Sequence, residues 1–272
     1  MLRRHAIASL LAAGAWGKGV DRCFGGAHGA AVLVDRKTRR LISAHSPELA
    51  GGAALPPGST MKPLILQTLL ERGIVHADDR LPCPGNLQIR GRNFACTHPK
   101  LPAAVTVQTA IAYSCNYFAA HFAARWQGGV LTGELERWGL ASRTGWFGEG
   151  EGTGRVWSAP AELQALGEDG VLATPASLAL AYWRLANRAG DVVRAGLSDA
   201  VEIGTAQRAQ VAGMKVAGKT GSARAASGMY VAWFAGFTES VVIAVMVQGK
   251  SGGGDAAPVA ARVLEAHARG AI

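Results

Sequence analysis

The stretch Pro56-Pro57-Gly58-Ser59-Thr60-Met61-Lys62-Pro63 is the tightest local constraint in this chain. Two prolines and a glycine bar a helix before Ser59. Pro63 is tolerated only in a first turn, so the helix carrying the apolar run Leu64 to Leu70 must begin near Ser59. Gly73 is its natural stop. Three residues is close to one helical turn, so Ser59 and Lys62 share a face. A serine hydroxyl becomes a nucleophile when a base takes its proton, and a neighbouring amine can be that base. A Ser-x-x-Lys pair also arises readily by chance, so this reading needs partners elsewhere in the chain.

Length and composition bound the class. The 272 residues allow one or two domains, and 49% hydrophobic with 17% charged residues describe a folded protein with a sizeable core. No run has the length of a membrane-spanning helix; Val231 to Val247 is broken by Glu239 and Ser240 and reads as two strands. At the start, Arg3 and Arg4 precede the apolar run Ala6 to Trp16, and Ala13-Gly14-Ala15 resembles a cleavage site. A secretory signal peptide over residues 1–15 is therefore expected, with an uncleaved anchor or a buried helix as alternatives. Export would place the protein in the periplasm or the extracytoplasmic envelope. The formal net charge of +9 is scattered, and its longest cluster, Arg36-Lys37-Thr38-Arg39-Arg40, falls at a hairpin tip. Without a basic stripe interleaved with aromatics, nucleic acid is not an expected partner. An anionic envelope polymer suits the charge, as does a generic basic surface.

The cysteines are Cys23, Cys83, Cys96 and Cys115. An even count in an exported chain permits disulfides, and Cys83 and Cys96, which bracket a Pro/Gly-rich loop, are the expected pair. A zinc site is not expected, because the spacings are not C-x-x-C and His98 alone does not complete one.

Along the chain, Gly29 to Val34 and Leu41 to Ala44 read as a β-hairpin. Residues 45–58 read as loop before the Ser59 helix, and residues 77–104 as a structured loop. Val105 to Trp126 is helical in composition, interrupted by Tyr113-Ser114-Cys115-Asn116-Tyr117. Residues 128–160, centred on Gly148 to Gly154, read as a flexible loop; they lack the context of a phosphate cradle. Thr174-Pro175 starts a helix that Gly190 closes. A further helix is expected over Val201 to Ala212. Three strands follow, at Lys215 to Gly221, Tyr230 to Phe237 and Val241 to Val247, the last two apolar on both faces. Asp255 caps a final helix, Ala257 to Ala268. The expected fold is α+β: a five-stranded antiparallel sheet joining the first hairpin to the last three strands, covered by helices, plus a mainly helical lobe. Residues 16–272 form a single domain in this reading, with a sheet lobe over about 28–55 and 200–272 and a helical lobe over about 56–199.

Three short motifs occur in order: Ser59-x-x-Lys62, Ser114-x-Asn116 and Lys219-Thr220-Gly221. Each is weak alone; their conjunction, each in a suitable setting, is strong. A second candidate for the third motif, Lys250-Ser251-Gly252, follows the last expected strand. Lys219 precedes two further strands, which puts its strand at an edge where a cleft can open. With these motifs, and with Leu166-Gly167-Glu168-Asp169-Gly170 running into Ala173-Thr174-Pro175 and Trp233-Phe234-Ala235-Gly236-Phe237, the chain resembles the transpeptidase domain of penicillin-binding proteins over roughly residues 28–270.

The resemblance implies a β-lactamase/transpeptidase-like fold and a serine acyl-transferase without metal or cofactor. Its implied catalytic residues are Ser59 as nucleophile, Lys62 as base (its pKa lowered by burial and by Lys219) and Ser114 as a proton relay bridging Lys62 and Lys219. Asn116 would bond the substrate amide, while Lys219, Thr220, Gly221 and Ser222 would hold its terminal carboxylate. The oxyanion hole would be the backbone N–H groups of Ser59 and Ser222. The implied activity is D,D-transpeptidation of D-Ala-D-Ala stem peptides of peptidoglycan, with β-lactams as inhibitors. Cys115, inside the second motif, is either an inert buried thiol or a disulfide partner of Cys23. A D,D-carboxypeptidase, a serine β-lactamase and a non-catalytic β-lactam-binding sensor remain alternatives. The β-lactamase reading is weakened because Glu162-Leu163-Gln164-Ala165-Leu166 lacks an asparagine after the deacylating glutamate. The sequence names no protein partner.

Overall fold

A computed structural model describes residues 18–126 and 130–272. The expected signal peptide lies outside the described residues. The core element is a five-stranded antiparallel sheet: β1 (Gly29–Asp35), β2 (Leu41–His45), β3 (Ala217–Arg224), β4 (Tyr230–Phe237) and β5 (Val241–Gln248), in the spatial order β2-β1-β5-β4-β3. The first hairpin and the last three strands thus join as expected, through pairing of β1 with β5 from Gly29↔Val247 to Asp35↔Val241. Among the described residues β3 pairs only with β4, at the edge of the sheet.

Alternation along the strands divides the sheet residues between two cores. Val32, Val34, Trp233, Phe237, Val242 and Ala244 face the helical lobe. Leu33, Phe234, Ile243, Val245 and Val247 face the opposite side. There they meet Val20 and Phe24 of α1 (Lys18–Phe24), and Val259 and Val263 of the C-terminal helix Ala257–Ala268. Both faces are covered, and every residue of β5 but Gln248 is buried, as its unbroken apolar run predicts.

α2 (Lys62–Glu71), α3 (Val107–Ala112), α4 (Asn116–Ala123) and α5 (Val130–Trp138) build the helical side of the lobe-facing core, and α6 (Pro175–Arg188) and α7 (Asp191–Glu202) pack on the sheet itself. Thr174 caps α6 with Pro175 in its first turn, as the sequence predicts. Three expectations are corrected. The expected loop over residues 45–58 contains a short helix, Pro47–Gly52, with its proline in the first turn. The helix assigned to Val201–Ala212 is instead Asp191–Glu202, immediately after α6. Gly190 begins it, and a Cβ on Gly196 would stand 2.8 Å from the carbonyl oxygen of Gln108, so its register is fixed by close packing on α3 rather than by periodicity. The expected loop over 128–160 contains α5. Its glycine-rich centre is organised around buried Glu151, whose carboxylate accepts the N–H groups of Thr144, Gly145 and Phe147 and the Thr144 hydroxyl. The basic hairpin tip is partly used in packing: the Arg36 guanidinium donates to the carbonyls of Thr238 and Ala186, and that of Arg39 lies over the Trp183 ring. No described helix is long and apolar enough to cross a membrane.

Candidate active site

Ser59 sits in a 3-10 turn, Gly58–Met61, that runs directly into α2. Gly58 has φ +55°, a conformation that glycine adopts without a steric penalty. A Cβ there would stand 2.7 Å from the carbonyl oxygen of Ser222, and one on Gly221 would stand 2.4 Å from that of Pro57. Glycines at both positions therefore let the Ser59 turn press backbone to backbone on β3, which brings Ser222 beside Ser59. Two buried aromatic donors pin the turn from below: Tyr182 Oη donates to the Thr60 carbonyl and Trp233 Nε1 to the Pro56 carbonyl, each at 2.9 Å.

Lys62 is fully buried. Its Nζ lies 2.9 Å from Ser59 Oγ, 2.8 Å from the Ser114 carbonyl, 3.0 Å from Ser114 Oγ and 2.5 Å from Asn116 Oδ1. Four oxygens exceed the three hydrogens of an ammonium. A neutral amine also makes three such bonds, two through its hydrogens and one through its lone pair, which the Ser59 hydroxyl is placed to fill. Burial pushes the amine down to about 8, against the upward pull of Cys115, Cys96 and Glu168. Lys219, also fully buried, is pushed well below the usual lysine value, first by burial and then by Lys62.

Ser114 lies at the break between α3 and α4, at φ +60°. Left-handed backbone is unusual for serine, and such strain gathers at functional sites. It turns both the hydroxyl and the carbonyl of Ser114 onto Lys62.

One expected contact is corrected, and a second residue has protein partners of its own. Lys219 does not share Ser114 with Lys62; its Nζ lies 3.3 Å from Thr205 Oγ1, 3.1 Å from the Thr220 carbonyl and 3.5 Å from Thr220 Oγ1. Asn116 is engaged by protein at both ends of its amide: Oδ1 accepts from Lys62, and Nδ2 donates to the carbonyls of Phe94 (2.9 Å) and Ala95 (3.4 Å).

Ser59, Ser114, Asn116, Glu168, Thr220 and Ser222 line a single cleft of about 410 Å³. The catalytic and binding side chains expected from sequence thus converge here, with Lys219 beneath Thr220 and Gly221 giving backbone contact. The lining residues that the sequence reading did not place at the site include Thr205, Ser251 and Glu168. Thr205 is placed by its N–H bond to the Ala112 carbonyl and by the Thr220 hydroxyl, and nothing local marks it. Ser251 belongs to the rival Lys250-Ser251-Gly252 motif, whose lysine is exposed beside the Tyr230 ring while Gly252 N–H donates to Ser222 Oγ at 2.9 Å. Glu168 is half-buried; burial raises its carboxyl, with Arg92 and Lys62 pulling it down. It lies in a stretch that carried the resemblance, which was the available signal. Glu162 does not reach the cleft, and Gln164 donates to Thr132 Oγ1 and the Trp157 carbonyl.

Behind the cleft, the thiols differ from expectation. All four cysteines are free. Cys83 Sγ does face Cys96 Sγ at 3.6 Å, but Cys115 Sγ joins them at 3.7 Å from Cys96, so a trio replaces the expected disulfide pair. Cys23 lies in the opposite core and donates to the Gly19 carbonyl, so it is no partner for Cys115. His98 completes a group of potential metal ligands that the spacing argument had set aside.

The model of the family described as penicillin binding protein transpeptidase domain matches residues 29–265. No curated relative matches the sequence. Among solved structures, PBP2 of Pseudomonas aeruginosa in complex with WCK 5153 superposes with a TM-score of 0.80 at 22% identity, covering 92% of this chain and 76% of that one. A putative peptidoglycan glycosyltransferase from Atopobium parvulum gives 0.78 at 17%, with the same coverages. PBP2 of Helicobacter pylori, solved in complex with MreC, gives 0.80 at 17%, covering 93% of this chain and 62% of that one. At these identities the likeness is one of fold.

Proposed function

This chain belongs to the penicillin-binding protein transpeptidase family, and from that premise we propose that it is an exported D,D-transpeptidase acting on D-Ala-D-Ala stem peptides of peptidoglycan. The observation that carries the reading is the 2.9 Å contact between Lys62 Nζ and Ser59 Oγ inside a buried, polar cleft.

In this mechanism neutral Lys62 takes the Ser59 proton as Oγ attacks the carbonyl of the penultimate D-alanine. The negative charge that develops on the carbonyl oxygen is met by the backbone N–H groups of Ser59 and Ser222, a donor pair of which each member is typically worth about 10²–10³ in rate. Ser114, 3.0 Å from Lys62 Nζ, passes the proton to the departing amine of the terminal D-alanine. An acceptor amine then attacks the acyl-Ser59 ester, gives up a proton along the same route and frees Oγ. Lys219, with the hydroxyls of Thr220 and Ser222, holds the terminal carboxylate; that anion supplies the charge that keeps the Lys219 ammonium protonated. A β-lactam enters as a mimic of the same peptide and stays on Ser59.

A second reading is hydrolysis of the acyl-enzyme, as in a D,D-carboxypeptidase or a β-lactamase. Glu168 favours it, because its carboxyl lines the cleft with Ser59 and could orient a water.

Intact mass followed over time after mixing with a penicillin tests both, with Ser59→Ala as control. A long-lived adduct on Ser59 supports the transpeptidase. Rapid turnover that Glu168→Gln abolishes supports hydrolysis. Absence of any adduct overturns the acyl-serine chemistry altogether.

A further inference from the structure

Three thiols and an imidazole meet directly behind the Ser114–Asn116 turn. The ligand atoms of Cys83, Cys96, His98 and Cys115 all lie within 4.8 Å of one another. They come from two distant segments, the loop over residues 83–98 and the α3–α4 junction, so no local spacing announces them.

The geometry fits a metal ion more closely than chance packing of thiols. Two sulfurs each about 2.3 Å from a tetrahedral zinc are about 3.8 Å apart. The sulfur separations here are 3.6 Å for Cys83–Cys96 and 3.7 Å for Cys96–Cys115. Each sulfur also receives a backbone N–H: Gly85 to Cys83 at 3.4 Å, Tyr117 to Cys96 at 3.4 Å and Phe118 to Cys115 at 3.5 Å. Such donors suit thiolates. His98 Nδ1 lies 2.8 Å from the Pro99 carbonyl, and donating there leaves a lone pair on Nε2. That Nε2 is buried and has no hydrogen-bond partner. A ring nitrogen fixed on a carbonyl while the other is held free is the arrangement of a metal-bound histidine.

We propose that Cys83, Cys96, His98 and Cys115 form a closed, structural zinc site, and that the ion positions Ser114 and Asn116 for catalysis. Zinc remains Zn²⁺ throughout; each thiol that is protonated releases its proton on binding and the imidazole binds neutral, leaving the site with one net negative charge. Four protein ligands leave no open coordination position, so the ion supplies structure and not an activated water. A hollow of about 530 Å³ lined by Cys83 and His98 gives the ion access from solvent. The thiolate-rich donor set selects zinc over harder cations.

The link to the cleft is covalent on one side and hydrogen-bonded on the other. Cys115 stands between Ser114 and Asn116 in the chain. Asn116 Nδ2 bonds the carbonyls of Phe94 and Ala95, which adjoin Cys96. Zinc therefore ties the loop that receives Asn116 to the turn that carries it, and holds Ser114 in its left-handed conformation. This half of the proposal rests on Ser59 acylation as described above; the metal content does not.

Elemental analysis of the full chain, purified under reducing conditions without chelator, is expected to find zinc equimolar with protein. Cys83→Ser and His98→Ala should each lose it, and Cys23→Ser, outside the cluster, should keep it. Chelator-stripped wild-type protein should bind Co²⁺ with a thiolate-to-cobalt charge-transfer band. No zinc and no cobalt band with all thiols reduced would overturn the site, as would zinc that survives both Cys83→Ser and His98→Ala. A Cys83–Cys96 disulfide in metal-free protein that already acylates fully would overturn it too. For positioning, the stripped protein should acylate with penicillin about 10- to 100-fold more slowly than the zinc-loaded one and recover on adding zinc. Equal rates in the two states would sink that half. If Ser59 takes up no penicillin in either state, the transpeptidase reading fails while the metal content still decides the site.

Discussion

Lys62 Nζ lies 2.8 Å from the carbonyl oxygen of Ser114, a residue 52 positions further along the chain. The contact exists because Ser114 is held at φ +60°, which points its carbonyl at the amine instead of along the helix. That strain has a measurable signature. Ser114→Ala and Ser114→Gly both remove the relay hydroxyl, and each should slow acylation roughly 100-fold. Only glycine adopts the left-handed backbone freely, so Ser114→Gly should be more stable than Ser114→Ala by about 1 kcal/mol. Chemical denaturation of the two variants checks the difference; equal stability would mean that the backbone relaxes.

Acylation should depend on pH through Lys62. Burial lowers its amine from the ordinary lysine value to about 8, and in the proposed mechanism the neutral form is the reactive one. The acylation rate should therefore rise with pH, with its midpoint near pH 8, and level off above. The Glu168 carboxylate stabilises the Lys62 ammonium, so Glu168→Gln should move the midpoint to lower pH. Rates of penicillin acylation from about pH 6 to about pH 10 decide this; a flat profile would remove Lys62 from the role of base.

Tyr182→Phe tests the support beneath the nucleophile. The Tyr182 hydroxyl donates to the Thr60 carbonyl in a dry interior. Its loss should cost about 1 kcal/mol, since the carbonyl loses a buried partner. Acylation should fall more than substrate affinity, because the turn carrying Ser59 loosens while the carboxylate clamp on β3 is untouched. Denaturant midpoints and single-turnover acylation rates separate the two effects.

Glu151→Ala should unfold the loop that follows α5. One carboxylate satisfies three backbone N–H groups and a hydroxyl there. Hydrogen bonds to a charged group are worth about 1.5–3 kcal/mol, and removing the shared acceptor strands several donors together. A fall in thermal midpoint with new proteolytic cleavage between residues 144 and 151 is expected. A variant as stable and as resistant as the parent would show that water replaces the carboxylate.

Much of the sheet was legible because its signals are local. Unbroken apolar runs in β1, β4 and β5 follow from having two covered faces. The start of α6 was legible for the same kind of reason, since Thr174 and Pro175 satisfy and fix a first turn by themselves. The helix Asp191–Glu202 was placed too late, because its register is set by packing on α3 through Gly196. Residues 128–160 read as loop because glycines dominate composition, which hid α5, and the order of residues 144–151 comes from one buried carboxylate.

By itself, the sequence determined that Ser59 opens a helix with Lys62 on its face, because proline and glycine act on the backbone within a few residues. It also marked Ser114, Asn116 and Lys219 as partners through motif order. Only the tertiary structure decided what each partner touches. It placed Lys219 on Thr205 and Thr220, turned the Asn116 amide onto Phe94, and gathered Cys83, Cys96, His98 and Cys115 into one cluster. Contacts between segments far apart in the chain are fixed by how whole elements pack, and no window of sequence contains that information.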